Sequence, residues 1–174
     1  MRHIKLILAA LLVCVMLPAA ALCEDLGVTL LTPVAMTPET DAQTLELYCG
    51  PTQGFHRHAE QTLDTGKDYV VFGQYDCWAM AAQGTPEAFG PVGWVEAGSI
   101  DGLPYDPQLA FEDALAVTVE DEAILTNDFE NVIVRIVPGT QVTLLAQLGE
   151  WGYVQAEFDD MLPIRAFIPM SAIL

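Results

Sequence analysis

The feature that most constrains the fold of this chain is a repeat at a fixed offset of 73 residues. The matched pairs are Gly66 and Gly139, Gln74 and Gln147, Trp78 and Trp151, Trp94 and Phe167, and Ile100 and Ile173. Apolar character follows the same offset, as in Val71 and Leu144. Because glycine, aromatics and isoleucine recur in one register without a gap, the sequence predicts two copies of one structural unit.

Within each copy, short runs rich in Val, Ile, Tyr, Phe and Trp are separated by Gly, Pro and Asp. No long stretch has apolar residues at helical spacing, so the pattern predicts a small all-β barrel or sandwich. The predicted strands are 45–48, 69–73, 78–82, 92–95, 114–119, 132–137, 141–146, 152–156 and 166–168. The closing segments 94–100 and 167–173 look like a strand, one tight helical turn and a final short strand.

The order of motifs in copy one is an apolar strand, Gly50-Pro51, a loop, Gly66, Trp78 and then Gly93-Trp94-Val95. This order resembles the bacterial SH3 domain. Copy two keeps the later motifs but lacks the Gly-Pro pair and has Ala166 in place of the second glycine. The resemblance implies an all-β chain of two tandem small SH3-like β-barrels.

The first residues are typical of a secretory signal peptide. Arg2 and Lys5 precede an apolar run that Pro18 interrupts before small residues, which is the usual layout of such a signal. Cleavage after Ala21 and cleavage after Cys23 both fit, and lipidation of Cys23 is a further alternative. The predicted organisation is signal peptide 1–23, extended lead-in 24–44, SH3-like domain 45–101, linker 102–108 and SH3-like domain 109–174.

Composition excludes several classes of function. The chain has 24 Asp plus Glu against 6 Lys plus Arg, a formal net charge of −18. A nucleic-acid binder or a protein docked on an anionic membrane needs a basic face, so neither is expected. The apolar fraction of 52% is too high for a disordered acidic chain. We expect a folded, exported protein with no membrane span after the signal.

Residues with reactive side chains give no clear catalytic pattern. Cys49 and Cys77 could form a disulfide in an exported protein, or be unpaired buried thiols, or react. His56 and His58 could share a face and bind a metal, but no third ligand is marked nearby, and a surface loop is favoured. The sequence therefore predicts no catalytic residue, no metal and no cofactor.

A binding surface is the remaining prediction, because SH3-like folds grip extended peptides with exposed aromatic side chains. The candidate ligand-binding residues are Tyr48, Phe55, Tyr75, Trp78, Trp94, Trp151 and Tyr153. For Trp94 a place in the core is the favoured interpretation, and for Tyr48 and Tyr75 core and binding surface both stay open. The expected role is a non-catalytic module at the cell envelope that holds peptidoglycan peptide or an extracellular protein. The alternative is a structural, protein-docking subunit at the bacterial cell surface without a wall ligand.

Overall fold

The computed structural model of the chain describes residues 26–159 and 161–173, and at Ala59 and Glu60 it describes the backbone alone. The predicted signal peptide, its cleavage sites and Cys23 lie outside the described residues. Nothing in the fold below depends on them.

The described part of the chain is all-β, as predicted. Its strands are β1 (Thr29–Leu30), β2 (Val34–Met36), β3 (Thr44–Tyr48), β4 (Arg57–Asp64), β5 (Tyr69–Tyr75), β6 (Trp78–Thr85), β7 (Ala88–Glu96), β8 (Leu115–Thr118), β9 (Ala123–Leu125), β10 (Val134–Ile136), β11 (Gln141–Leu148), β12 (Trp151–Phe158) and β13 (Met161–Pro169). Single 3-10 turns follow β7 and β13 at Ala97–Ser99 and Met170–Ala172, where the sequence predicts tight turns. In this part of the chain, no helix is long and apolar enough to cross a membrane.

Strand pairing repeats as the sequence does. We name β2 to β7 the first unit and β8 to β13 the second unit. The first unit forms one sheet in the order β2-β5-β6-β7-β3-β4. In the second unit the pairing order is β8-β11-β12-β13, and β9 and β10 form a separate two-stranded sheet. A bridge between Thr126 and Phe167 joins that pair to β13, as the Tyr48 and Trp94 pairing joins β3 to β7. The two units therefore share one strand order.

The repeat is exact from β5 and β11 onward, since the pairing of Val71 with Ala81 recurs as Leu144 with Val154. The bounds of β6 and β12, of β7 and β13, and of the two 3-10 turns also differ by 73 residues. Upstream the offset is larger, since Tyr48 corresponds to Thr126. The difference arises because β4 has 8 residues and β10 has 3. Hence the sequence comparison aligned the C-terminal strands of each unit and missed β2, β4 and β9.

The predicted lead-in contributes strands to both units. β1 runs parallel to β11, with Thr29 opposite Ala146, so it extends the sheet of the second unit. β2 pairs antiparallel with β5 of the first unit. Residues before the first predicted strand therefore help to hold the two units together.

The predicted barrels are not present as closed sheets. Among the described strands, none of the three sheets closes on itself. In the first unit β2 and β4 stand at opposite ends of the sheet order and do not pair. Both strands consequently keep one edge without a strand partner.

Each unit has its own apolar core. In the first unit it includes Leu47, Leu63, Val71 and Val95. In the second it includes Leu125 and the equivalent positions Ile136, Leu144 and Ile168. The equivalent positions share burial because they occupy equivalent faces of paired strands.

A third group of buried residues, which we name the shared cluster, lies between the units. It consists of Leu31, Val70, Phe72, Trp78, Met80, Ala82, Val92, Trp94, Leu109, Phe111, Leu145, Ala146, Tyr153 and Phe167. The Trp94 indole N–H donates to the Tyr153 hydroxyl across 2.7 Å inside it. Large aromatics bury much surface and contribute strongly to packing, so this cluster joins the two units.

Two backbone hydrogen bonds cross between the units at equivalent positions. The Val92 N–H donates to the Asn127 carbonyl at 2.8 Å, and the Arg165 N–H donates to the Cys49 carbonyl at 3.1 Å. Val92 corresponds to Arg165 in the repeat, and Cys49 and Asn127 each follow the bridging residue of their unit. The same backbone hydrogen bond is therefore made twice, once from the first unit to the second and once from the second unit to the first.

Replacing Tyr153 with Phe tests the hydrogen bond inside the shared cluster. Tyr153→Phe leaves the buried Trp94 N–H without its acceptor, and an unsatisfied buried donor costs about 1–3 kcal/mol. We expect the free energy of unfolding in urea to fall by that amount. Tyr48→Phe is the matched control, because the Tyr48 hydroxyl bonds Glu46 at the surface, and it should change stability by less than about 0.5 kcal/mol. Equal effects of the two variants would contradict the assignment.

Candidate functional site

The aromatic residues predicted to bind a ligand lie largely inside the protein. Trp78, Trp94 and Tyr153 are 6%, 1% and 2% exposed and belong to the shared cluster. Tyr48, Tyr75 and Trp151 are half-buried and pack against the same cluster. In this fold the three buried side chains cannot contact a ligand at the surface, because they lie in the shared cluster where the two units pack on each other. For Trp94 the core interpretation is the one that holds.

Phe55, the remaining candidate, is half-buried and explains the Gly50-Pro51 motif. A Cβ on Gly50 would overlap the Phe55 ring. Gly50 is therefore the residue that lets the loop after β3 fold its aromatic side chain back onto the backbone. The Phe55 ring also faces Arg165 of the second unit, at 5.4 Å from the guanidinium carbon to the ring centroid.

A cleft of about 430 Å³ lies where the two units meet, and we name it the interunit cleft. It is lined by Cys49, His56, Arg57, His58, Gln61, Asn127, Asn131, Val132, Ile133, Val134, Met161 and Ile164. The first unit contributes β4 and the loop before it, and the second contributes the loop between β9 and β10 and the start of β13. A cleft between packed units is a usual place for a binding site.

The floor of the cleft brings together Cys49, His58 and Asn127. The Cys49 Sγ lies 3.5 Å from His58 Nδ1. The Asn127 amide nitrogen lies 3.1 Å from the same ring nitrogen and donates to the Gln61 side-chain oxygen. Sequence reasoning missed this group, since Asn127 belongs to the other unit and becomes a neighbour only when the units pack.

Burial sets the protonation state of the floor. It raises the pKa of the Cys49 thiol to about 11. It lowers the pKa of His58 to about 4, against the Asp128 charge, which raises it. At neutral pH the floor is thus a thiol beside a neutral imidazole. A nucleophilic cysteine needs a thiolate with a lowered pKa, so this arrangement does not activate Cys49.

His58 is buried because Gly93 leaves room for it. A Cβ on Gly93 would lie 2.9 Å from the Leu47 Cβ and 3.2 Å from the His58 ring, tighter than side chains normally pack. The equivalent residue in the second unit is Ala166, and the position that corresponds to His58 is Asn131, which precedes β10. The predicted surface loop at residues 56–58 is thus wrong, since β4 begins at Arg57 and His58 is 8% exposed.

Arg165 sits behind the cleft in an aromatic enclosure. Its guanidinium carbon lies 5.4, 5.8 and 5.3 Å from the ring centroids of Phe55, Tyr75 and Phe111. Its Nε donates to Gln155, while Nη1 is buried without a hydrogen-bond partner among the described residues. Burial lowers the pKa of Arg165, but arginine remains charged. Cation–π contacts with rings from the first unit and the connecting segment stabilise this charge.

The two described cysteines are free thiols in different environments. Cys49 is buried, and Cys77 is exposed in the turn between β5 and β6. The candidate disulfide between them is therefore not formed in this structure. Nor do the described His, Cys, Asp and Glu side chains form any group of three placed to hold a metal ion.

Comparison with known proteins adds no family assignment. No protein-family model, curated protein or solved structure matches this chain. The interunit cleft and its residues are therefore the features of the molecule that point to a function.

Thiol labelling distinguishes the two cysteines. We expect a thiol reagent such as DTNB at neutral pH to modify Cys77 rapidly and Cys49 only on unfolding, because Cys49 is buried and its pKa is raised. Cys77→Ser should remove the fast phase, and Cys49→Ser should leave it intact. Fast labelling that persists in Cys77→Ser would show an accessible, reactive Cys49.

Acid should destabilise the protein through His58. Its folded pKa of about 4 lies below the unfolded value of about 6.5, so the neutral form stabilises the fold above pH 6.5 and this contribution is lost as the pH falls toward 4. We expect denaturation at pH 7 and pH 4.5 to show a smaller acid-induced loss of unfolding free energy in His58→Gln than in the parent. His56→Gln, at an exposed position, should behave like the parent. Equal acid sensitivity of His58→Gln and the parent would contradict this.

Proposed function

We propose that this chain is an exported, non-catalytic binding protein that holds an extended peptide in the interunit cleft. The single observation that carries the proposal is the position of the cleft, which is lined by both units and bordered by two edge strands. The peptide is that of the bacterial cell wall or an extended segment of an extracellular protein. The binding surface differs from the one that the sequence predicts, since side-chain amides, imidazoles and aliphatic groups form it rather than aromatics.

Edge strands support a peptide ligand. β4 ends the sheet order of the first unit, and β10 pairs only with β9 among the described strands. Each strand keeps backbone N–H and C=O groups on one edge without a strand partner. An extended peptide can add to such an edge through main-chain hydrogen bonds, while pockets beside the strand select its side chains.

The lining supports side-chain selection as well. Val132 and Met161 are 46% and 49% exposed at the cleft, so their apolar side chains are accessible to a ligand there. Gln61 and Asn131 offer amide groups beside them. A mostly apolar lining with a few placed polar groups is typical of a ligand site.

The protonation state of the floor supports a role in binding rather than in catalysis. With a protonated Cys49 and a neutral His58, the site lacks an activated nucleophile. The Asn127 nitrogen lies 3.1 Å from His58 Nδ1, which also faces Cys49, and 3.3 Å from His58 Nε2, so it is shared between the two ring nitrogens and does not fix the one opposite Cys49. We therefore assign these residues a structural role beneath the ligand.

An SH3-like origin of each unit is part of the same proposal. The repeated strand order, the Gly50-Pro51 motif that accommodates Phe55, and the 3-10 turn that closes each unit all support it. The domain boundaries at 45–101 and 109–174 belong to this proposal, extended by β2 in the first unit. The resemblance also supports the peptide as the ligand class.

A charge placed at the rim of the cleft tests the site. Val132→Glu should reduce by at least about tenfold the fraction of protein that sediments with purified peptidoglycan, because a buried unpaired carboxylate in a bound complex is costly. Val137→Glu is the matched control, since Val137 is 63% exposed and does not line the cleft. The assay is run with and without calcium.

The outcomes separate the proposed ligands. Protein that stays in the supernatant in both conditions overturns the wall ligand. In that case cross-linking in a native culture decides between the remaining possibilities. A defined protein partner that Val132→Glu loses and Val137→Glu keeps supports a protein ligand in the cleft, whereas a partner kept by both variants supports a docking subunit that binds elsewhere.

A further inference from the structure

We infer that the interunit cleft selects a peptide that carries a carboxylate, with Arg57 as the residue that recognises it. This inference rests on the proposed function, because it names the chemistry of the ligand at the same cleft. It begins from the distribution of charge over the molecule.

The lining of the cleft contains no carboxylate among the described residues, in a chain with 24 Asp plus Glu. Two smaller cavities serve as a comparison. One of about 250 Å³ is lined by Asp121 and Glu122, and one of about 290 Å³ by Asp101. The described side chains of the cleft differ from both in offering Arg57, His56 and His58 without an acid.

Two acidic side chains close to lining residues of the cleft are already engaged. Asp128 accepts hydrogen bonds from the Thr126 hydroxyl, from the backbone N–H groups of Glu130 and Asn131, and from the Asn131 amide. Glu46 pairs with Arg57 through a single guanidinium nitrogen, Nη1. Hydrogen-bonded carboxylates of this kind repel a second carboxylate less than unpaired ones do, because the donors offset part of their charge.

Donors remain available for a ligand. A guanidinium has five N–H groups, and in the described structure only Nη1 of Arg57 has a partner. The side chain is 56% exposed, so its other N–H groups can reach the cleft. The Gln61 oxygen accepts from Asn127, which leaves the Gln61 amide N–H groups to face the ligand. Arginine suits a carboxylate because its N–H groups match both oxygens.

Charge complementarity limits the occupant further. A basic peptide would find no acidic partner in the cleft and would be drawn to the acidic surface around it. A long polyanion would be repelled by a molecule of net charge −18. A short extended peptide with one carboxylate avoids both penalties, since it needs only local donors.

The test compares native peptidoglycan with peptidoglycan whose carboxyl groups have been converted to amides with carbodiimide and ammonia. We expect amidation to reduce the sedimented fraction of the protein by roughly tenfold, the loss of a charge-assisted hydrogen bond. Arg57→Gln should bind native peptidoglycan roughly tenfold more weakly and should respond little to amidation. Arg135→Gln is the matched control, because Arg135 is likewise exposed and paired with one glutamate, Glu122, but lies outside the cleft.

The pattern of results distinguishes the two proposals. Equal binding of native and amidated peptidoglycan, lost in Val132→Glu, overturns the carboxylate inference and leaves the cleft as the binding site. Binding that Val132→Glu does not reduce overturns the cleft itself. Sensitivity to amidation that Arg57→Gln retains in full overturns the role of Arg57. Absence of binding to both preparations overturns the wall peptide and the inference together.

Discussion

The shared cluster is the interaction on which the rest of the structure depends. It places Trp94 of the first unit against Tyr153 of the second, with the indole N–H bonded to the hydroxyl. Units of this size bury only a modest part of their surface when alone, so a common core stabilises both. The interunit cleft exists only because of this packing, since one wall comes from β4 and the other from the loop before β10 and from the start of β13.

The exchanged backbone bonds fix how the units meet. Val92 donates to Asn127, and Arg165 donates to Cys49, so the side chains of Cys49 and Asn127 are both held against the His58 ring. Arg165 adds a buried charge that the rings of Phe55, Tyr75 and Phe111 surround. In an acidic chain this cation lies inside, where it joins the units, while Arg57 lies at the cleft.

The strands that the sequence predicts are those with β-branched and aromatic residues on a buried face, such as β5, β6 and β11. The sequence does not indicate β4 as a strand because most of its residues are polar. Polar residues are common in a strand at the edge of a sheet, which is where β4 lies. The sequence predicts a ligand-binding surface at Trp78 and Tyr153, which lie in the shared cluster instead, whereas for Trp94 the core interpretation holds. A sequence shows that an aromatic begins a strand, and it does not show whether solvent or a second unit covers that face.

The sequence by itself determined the all-β class, the twofold repeat and the closing 3-10 turns, because these follow from local periodicity and from glycine and aromatic spacing. The tertiary structure alone decided that the sheets stay open, that the aromatics lie between the units, and that Cys49, His58 and Asn127 meet. These features join residues far apart in the chain, as with His58 and Asn127. They depend on how two surfaces pack, which local sequence does not encode.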